Sequence, residues 1–252
     1  MTAGTKIRLL SANFRYSPNE DDDANGRSWP DVRKALTLDL IRGWYPRIIC
    51  GQECSTIIRN DLAAGLGAPW RYVRNGNVII WYDTRSHNLL GSQAFNLPTP
   101  PEQDPRRLIL ARFEARSTGG EWWAASTHFT ATLPDWQVKQ MVAACDFIKD
   151  QGAQLSVIFG GDFNSGQTLE EGPRTVARSN GLFDLRNKLA PARIRNVNSN
   201  TYNGWQQPCP RDGRWIDDIL TGEHQQPYYA RVIDTNGASD HQFLIASTIQ
   251  TS

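Results

Sequence analysis

Six segments of this chain end in side chains that can bind a metal, move a proton or hold an oxyanion. Ile7-Arg8-Leu9-Leu10-Ser11-Ala12-Asn13 ends in an amide, Ile48-Ile49-Cys50-Gly51-Gln52-Glu53 in a carboxylate, and Trp122-Trp123-Ala124-Ala125-Ser126-Thr127-His128 in an imidazole. Val157-Ile158-Phe159-Gly160-Gly161-Asp162-Phe163-Asn164 delivers an acid and an amide. Ile216-Asp217-Asp218-Ile219-Leu220 and Ser239-Asp240-His241 add further acids and a second imidazole. An apolar run that stops in such a tag reads as a buried strand carrying a polar side chain to a sheet edge. Gly160 and Gly161 read as positions where the backbone turns and a Cβ would obstruct it. Acids, amides and histidines gathered at strand ends suit a hard-metal hydrolytic site. Hard ions take oxygen ligands, and imidazole titrates near neutrality.

Each residue also has a plainer reading. Asn13 alone would be a turn or cap residue, and His128 alone a satisfied structural imidazole. Asp162 and His241 gain most from their setting, because buried charges persist only with partners. Glu53 is the leading metal ligand and His241 the general-base candidate. His87 and His224 lie in polar sequence and read as surface residues, and Asp21-Asp22-Asp23 as a solvated run.

The elements that position these tags alternate strand and helix at first and then become strand-rich. Strands are expected over 6–13, 48–53, 88–95, 107–115 and 121–128, with a hairpin over 70–82 turning at Asn75-Gly76. Residues 17–28 read as an exposed loop. Helices are expected from Trp29-Pro30 to Gly43, over 55–65 with Ser55 as N-cap, and over 135–149. After the Asp162 strand come one or two helices, a polar loop over 196–213, and strands over 215–221, 229–234 and 242–249. This order favours two packed sheets with helices outside them, one α/β arrangement among several that the pattern allows.

The chain has 252 residues, 39% hydrophobic and 21% charged, with a net charge of +1. That length fits one large domain or two small ones. The balance supplies no global positive field to hold nucleic acid or an anionic membrane. No apolar run approaches the length of a membrane span, and no signal peptide is visible. The chain is expected to be soluble, cytoplasmic if complete as given and secreted if a leader has been removed. Cys50, Cys54, Cys145 and Cys209 contain no Cys-x-x-Cys pair, so a zinc site is not expected, whereas one disulfide involving Cys209 stays open.

The ordered tags from Asn13 to His241 resemble the endonuclease/exonuclease/phosphatase superfamily, the deoxyribonuclease-I-like proteins. Gly161-Asp162-Phe163-Asn164 carries the most weight among them. The resemblance spans nearly the whole chain and implies one domain over 1–252, a four-layer α/β/β/α sandwich of two mixed sheets with outer helices. It implies a Mg²⁺ or Mn²⁺ ion held by Glu53 beside Asn13, with Asp240 completing the ligand set. It also implies that Asp217 orients His241, that Asp162 orients or helps deprotonate a water, and that Asn164 binds a phosphoryl oxygen. His128 would contact the phosphate and protonate the leaving oxygen. Apart from the resemblance, Arg107, or Arg112 on the same expected strand, is a candidate for added charge near the phosphate. Asp218 departs from the family pattern, and an acid there is expected to face solvent or repel its neighbours.

The leading expectation is a divalent-metal-dependent phosphodiester hydrolase of nuclease type, acting as a monomer on a phosphate ester such as DNA or RNA. Trp29, Trp136, Trp205 and Trp215 are candidate stacking platforms. Arg71, Arg74, Arg106, Arg107 and Arg112 are a candidate basic patch. The alternatives are hydrolysis of a small lipid, inositol or nucleotide phosphate ester, non-hydrolytic chemistry on a small molecule, and a binding protein on the same fold.

Overall fold

The computed structural model describes residues 4–165, 172–196, 200–206 and 214–251. Its strands in chain order are β1 (Thr5–Asn13), β2 (Ile48–Gln52), β3 (Trp70–Asn75), β4 (Val78–Asp83), β5 (His87–Asn96), β6 (Arg107–Ala115) and β7 (Glu121–His128). They continue with β8 (Val157–Asp162), β9 (Phe183–Asp184), β10 (Ile194–Arg195), β11 (Asp217–Thr221), β12 (Gln225–Ile233) and β13 (Phe243–Gln250). One sheet runs β10-β12-β13-β1-β2-β4-β3 and the other β5-β6-β7-β8-β11-β9. Both are mixed: β1 and β2 are parallel, as are β7 and β8, among antiparallel neighbours.

Three apolar layers hold the sheets and helices together. Ile7, Leu9, Ile48, Ile80, Ile109, Phe113, Ile158 and Leu244 fill the space between the sheets. Behind the first sheet, Leu38 and Ile41 of α2 (Lys34–Trp44) and Ile58 and Leu62 of α3 (Thr56–Leu66) cover Leu10, Ile49 and Trp81. Behind the second, Met141, Ala144 and Ile148 of the long helix α4 (Pro134–Asp150) cover Leu110, Ala125 and Phe159. The expected α/β/β/α sandwich is the architecture observed. It also explains why β2, β8 and the second half of β1 are buried without alternation: both faces are covered there. Each such Leu or Ile contributes roughly 1.5–3 kcal/mol on burial.

Local signals set most boundaries. Ser55 accepts a hydrogen bond from the Ile58 N–H at the start of α3, and Gly67 closes it at φ 78°. Pro30 stands in a π-helical turn, Trp29–Arg33, that leads into α2. The 17–28 segment departs from the expected loop. It contains α1 (Glu20–Ala24), where the Asn19 side chain caps the Asp22 N–H and four acids fill the first turn. Asp22 is buried there rather than solvated.

The glycines of β8 act differently from the sequence expectation. Gly160 lies in extended strand, and a Cβ on it would stand 2.9 Å from the Cys50 Cβ and 3.2 Å from the Ser11 Oγ of the opposing sheet. It permits close approach of the sheets rather than a turn. Cys50, Cys54 and Cys145 are free and buried, and Cys209 lies outside the described residues.

Candidate active site

Strand register lines up much of the site. His128 pairs with Asp162 across β7 and β8, Asp162 with Asp217 across β8 and β11, and Arg107 with His128 across β6 and β7. Four neighbouring strands of one sheet therefore carry Arg107, His128, Asp162 and Asp217 in a single row at one end. The other sheet brings Asn13 at the end of β1, Glu53 just beyond β2, and Asp240-His241 just before β13. Asn13 joins the two sets, its Nδ2 donating to Glu53 Oε1 at 3.1 Å and to Asp162 Oδ2 at 3.0 Å. The His241 Nε2 lies 3.5 Å from the same amide nitrogen.

His241 is held from its far side. Its Nδ1 is 2.8 Å from Asp217 Oδ2, and its Nε2 faces Asp162 Oδ2 at 3.8 Å. Burial opposes charge on this imidazole, but Asp217, Asp162 and Asp240 outweigh burial and raise its pKa well above the usual histidine range. Asp162 is pushed up to about 7 by burial and by Asp217, despite the opposing pull of His241. Its Oδ2 also lies 3.6 Å from His128 Nε2. Burial lowers His128 to about 4, with Arg106 assisting and Glu53 opposing. Burial raises Glu53, yet His128, the Tyr16 N–H, His241 and Asn13 together hold it at about 2. One buried cluster thus contains a persistent carboxylate, a neutral imidazole, and an Asp and a His that hold protons near neutrality.

Asp240 takes a different partner. Its Oδ2 lies 3.4 Å from Arg15 Nη1, and Arg15 Nε donates to Asp22 Oδ2 at 3.1 Å. Ser239 Oγ ties the segment to β1 by donating to the Asn13 carbonyl at 2.8 Å. Asn164 donates its backbone N–H to Asp162 Oδ1 and its side-chain N–H to the Phe129 carbonyl, both at 2.9 Å. Arg15, Glu53 and Asn164 all adopt positive φ, at 56°, 54° and 49°. Non-glycine residues tolerate this conformation where surrounding contacts enforce it, commonly around functional sites.

Several expectations change. Asp218 neither faces solvent nor repels its neighbours: it is fully buried on the opposite face of β11 from Asp217 and accepts from Arg174 Nε at 2.9 Å. Arg174 stands on α5 (Pro173–Ser179). His87 is 2% exposed against Phe113 and Trp122, so it is a core residue. Arg112 pairs with Glu121, five residues along β6 from Arg107. Arg71 and Arg74 donate to backbone carbonyls, which leaves Arg106 and Arg107 as the members of the expected patch beside the site. Trp29 and Trp215 are buried, and Trp205 packs under Arg27 and Arg33.

A cleft of about 550 Å³ opens beside Glu53 and His128, with Tyr16, Asn77, Arg106 and Arg107 in its walls. Tyr16 belongs to this cleft although no pattern in the sequence singled it out. Among the described residues, no helix is long and apolar enough to cross a membrane.

No protein-family model matches the sequence, and no curated protein matches it. Solved structures match the fold throughout. An endonuclease/exonuclease/phosphatase family protein from Bacteroides thetaiotaomicron superposes at TM-score 0.86 and 20% identity, over 99% of each chain. A mannosyl-6-phosphatase from the same organism gives 0.84 at 20% identity, over 95% of this chain and 98% of that one. TDP2 from D. rerio, in complex with a single-strand DNA product, gives 0.72 at 16% identity over 97% and 99%. The paired sheets, the covering helices and these superpositions give the chain the fold of the endonuclease/exonuclease/phosphatase proteins.

Proposed function

We propose that this chain hydrolyses phosphate esters with the help of Mg²⁺ or Mn²⁺, as a member of the endonuclease/exonuclease/phosphatase superfamily. The observation that carries this reading is the Asp217–His241 pair at 2.8 Å, aimed at Asp162 beside a polar cleft. A binding protein has no need of an oriented imidazole facing a second carboxylate.

The residues fit a divalent cation. Asp162, Asp217 and His241 present ligand atoms within 4.8 Å of one another, and Asp217 Oδ1 is buried without a hydrogen-bond partner. Burial and Asp217 already press Asp162 toward its protonated form, as expected where carboxylates outnumber nearby cations. Glu53, held ionised and bonded to the Asn13 amide that also meets Asp162, would hold the ion together with Asn13. Asp240 would join them by releasing Arg15. Once bound, the ion would neutralise phosphoryl oxygens and favour deprotonation of water.

The chain's own groups account for the proton movements. In the fraction of molecules where His241 has lost the proton that Asp217, Asp162 and Asp240 favour, its Nε2 takes the proton of the attacking water, while Asp217 fixes the tautomer and stabilises the imidazolium. Asp162 orients that water from its place between the two imidazoles. His128 is neutral near pH 7 when no anion is bound. A bound phosphate would raise its pKa and let it protonate the leaving oxygen. Asn164 retains a second amide N–H for a phosphoryl oxygen.

For substrate, we favour a small polar ester. The cleft has the volume of a small-molecule site, and the guanidinium groups of Arg71, Arg74 and Arg112 are engaged elsewhere. The likeness to a mannosyl-6-phosphatase agrees with this choice. Nuclease-type phosphodiester hydrolysis is the second reading, supported by the likeness to TDP2 with its single-strand DNA product.

Turnover of small phosphomonoesters, an aryl phosphodiester and single- and double-stranded oligonucleotides with Mg²⁺ or Mn²⁺ tests both readings. Faster turnover of small monoesters supports the first, and preferential oligonucleotide cleavage transfers the assignment to the second. A folded protein inactive on all of them contradicts hydrolysis.

A further inference from the structure

We infer that Arg106 and Arg107 form a second anion subsite on the leaving-group side of the cleft, selecting phosphate esters whose alcohol carries another phosphate or a carboxylate. This rests on the hydrolase reading above and deepens it.

The row of strand ends gives the direction. Asp217 with His241 marks the water side, Asp162 the middle and His128 the far side, with Arg107 one strand beyond His128. Directly opposed residues on antiparallel strands bring their Cβ atoms to about 4.5–5.5 Å, so Arg107 is the side-chain neighbour of His128. In an in-line displacement the leaving oxygen departs opposite the attacking water. An alcohol that leaves toward His128 therefore passes next to Arg107. Arg106 closes the same wall, near enough to Asp162 and Glu53 to feel both charges.

Among the described residues, neither guanidinium has a protein partner: the Arg106 and Arg107 side chains make no hydrogen bond or ion pair, and Arg106 Nε is buried and unsatisfied. Three other guanidinium groups meet carboxylates: Arg15 meets Asp22 and Asp240, Arg85 meets Asp83, and Arg174 meets Asp218. Burial lowers the Arg106 pKa despite Asp162, Glu53 and exposed Asp104, so its charge is held at a cost that a ligand anion would relieve. Gly76 completes the arrangement. At φ 61°, it leaves space that the Arg107 guanidinium fills, and a Cβ there would collide with Nη1. Two guanidinium forks facing one cleft suit the paired oxygens of a phosphate or carboxylate.

The test compares glycerol phosphate, phosphoglycerate and glycerol bisphosphate, which differ in whether the alcohol carries no anion, a carboxylate or a second phosphate. The subsite predicts that kcat/KM for at least one charged alcohol exceeds that for glycerol phosphate by about tenfold or more. The charged arm that shows the preference identifies the anion. Arg107→Gln and Arg106→Gln should each reduce that ratio, chiefly through KM. Equal kcat/KM for the three esters, or a ratio retained in both variants, overturns the inference. A stronger preference for an oligonucleotide overturns the small-alcohol assignment.

Calorimetry without metal, comparing pyrophosphate with orthophosphate, separates the two claims. Tighter pyrophosphate binding that weakens in the variants, with no ester hydrolysed, keeps the subsite and removes the hydrolase reading. Hydrolysis without a charge preference, and with no advantage for pyrophosphate, removes the subsite alone.

Discussion

At the scale of single residues, the proposed hydrolysis depends on keeping one imidazole oriented and one carboxylate poised. Asp217→Asn removes the acceptor that fixes the His241 Nδ1–H and much of the field that raises its pKa. Turnover should fall by about 10²–10⁴-fold. The limb of the pH–rate profile on which His241 loses its proton should move to lower pH, because the folded imidazole no longer benefits from that charge. An unchanged limb would show that the two residues are not coupled.

His87 gives a separate prediction, about stability. Burial lowers its pKa to about 4 from the usual 6.5, with Asp83 opposing. The unfolded chain therefore binds a proton below 6.5 that the folded protein refuses until about pH 4. Stability must fall through that window as pH drops, by up to roughly 3 kcal/mol. Denaturation of His87→Phe at pH 7 and pH 4.5 should show a shallower decline than wild type; an equal decline would place the acid sensitivity elsewhere.

At the scale of elements, strand ends and strand faces decide which residues reach the site. The Asp217–Asp218 tandem shows this: a period of two sends Asp217 to His241 and Asp218 to Arg174. Asp218→Ala leaves a fully buried guanidinium without its carboxylate and should cost about 3–5 kcal/mol, measurable by denaturant titration. A loss below 1 kcal/mol would mean that Arg174 is satisfied without it. Gly160→Ala would press a methyl group against Cys50 and Ser11 across the sheet interface. It should destabilise by about 1–3 kcal/mol and loosen the spacing that lets Asn13 reach Asp162.

Covered strands were legible because burial on both faces produces apolar runs, and their polar endings marked Asn13, Glu53, His128, Asp162, Asp217 and His241. Partners chosen by three-dimensional packing were not legible. Arg15 reaches Asp240 from a loop at positive φ, and Asp22 is buried by α1, a five-residue helix too short to give a period. His87 looked superficial beside Ser86 and Asn88, although its strand turns that ring into an aromatic box.

At the scale of the whole molecule, two sheets from distant parts of the chain place their strand ends around one cleft, and a net charge of +1 leaves selectivity to local groups. Binding of a small ester through two arginines should weaken far less with salt than binding of a polynucleotide across many phosphates. Comparing KM at about 50 mM and about 200 mM salt checks this expectation. The most direct measurement of the central claim is kcat/KM with Mg²⁺ for wild type, His241→Ala and Asp162→Ala on the best small ester, with melting curves recorded alongside. Hydrolysis in wild type, reduced by about 10²–10⁴-fold in both folded variants, is the predicted result. Equal turnover in all three would contradict the assignment of water activation to these residues.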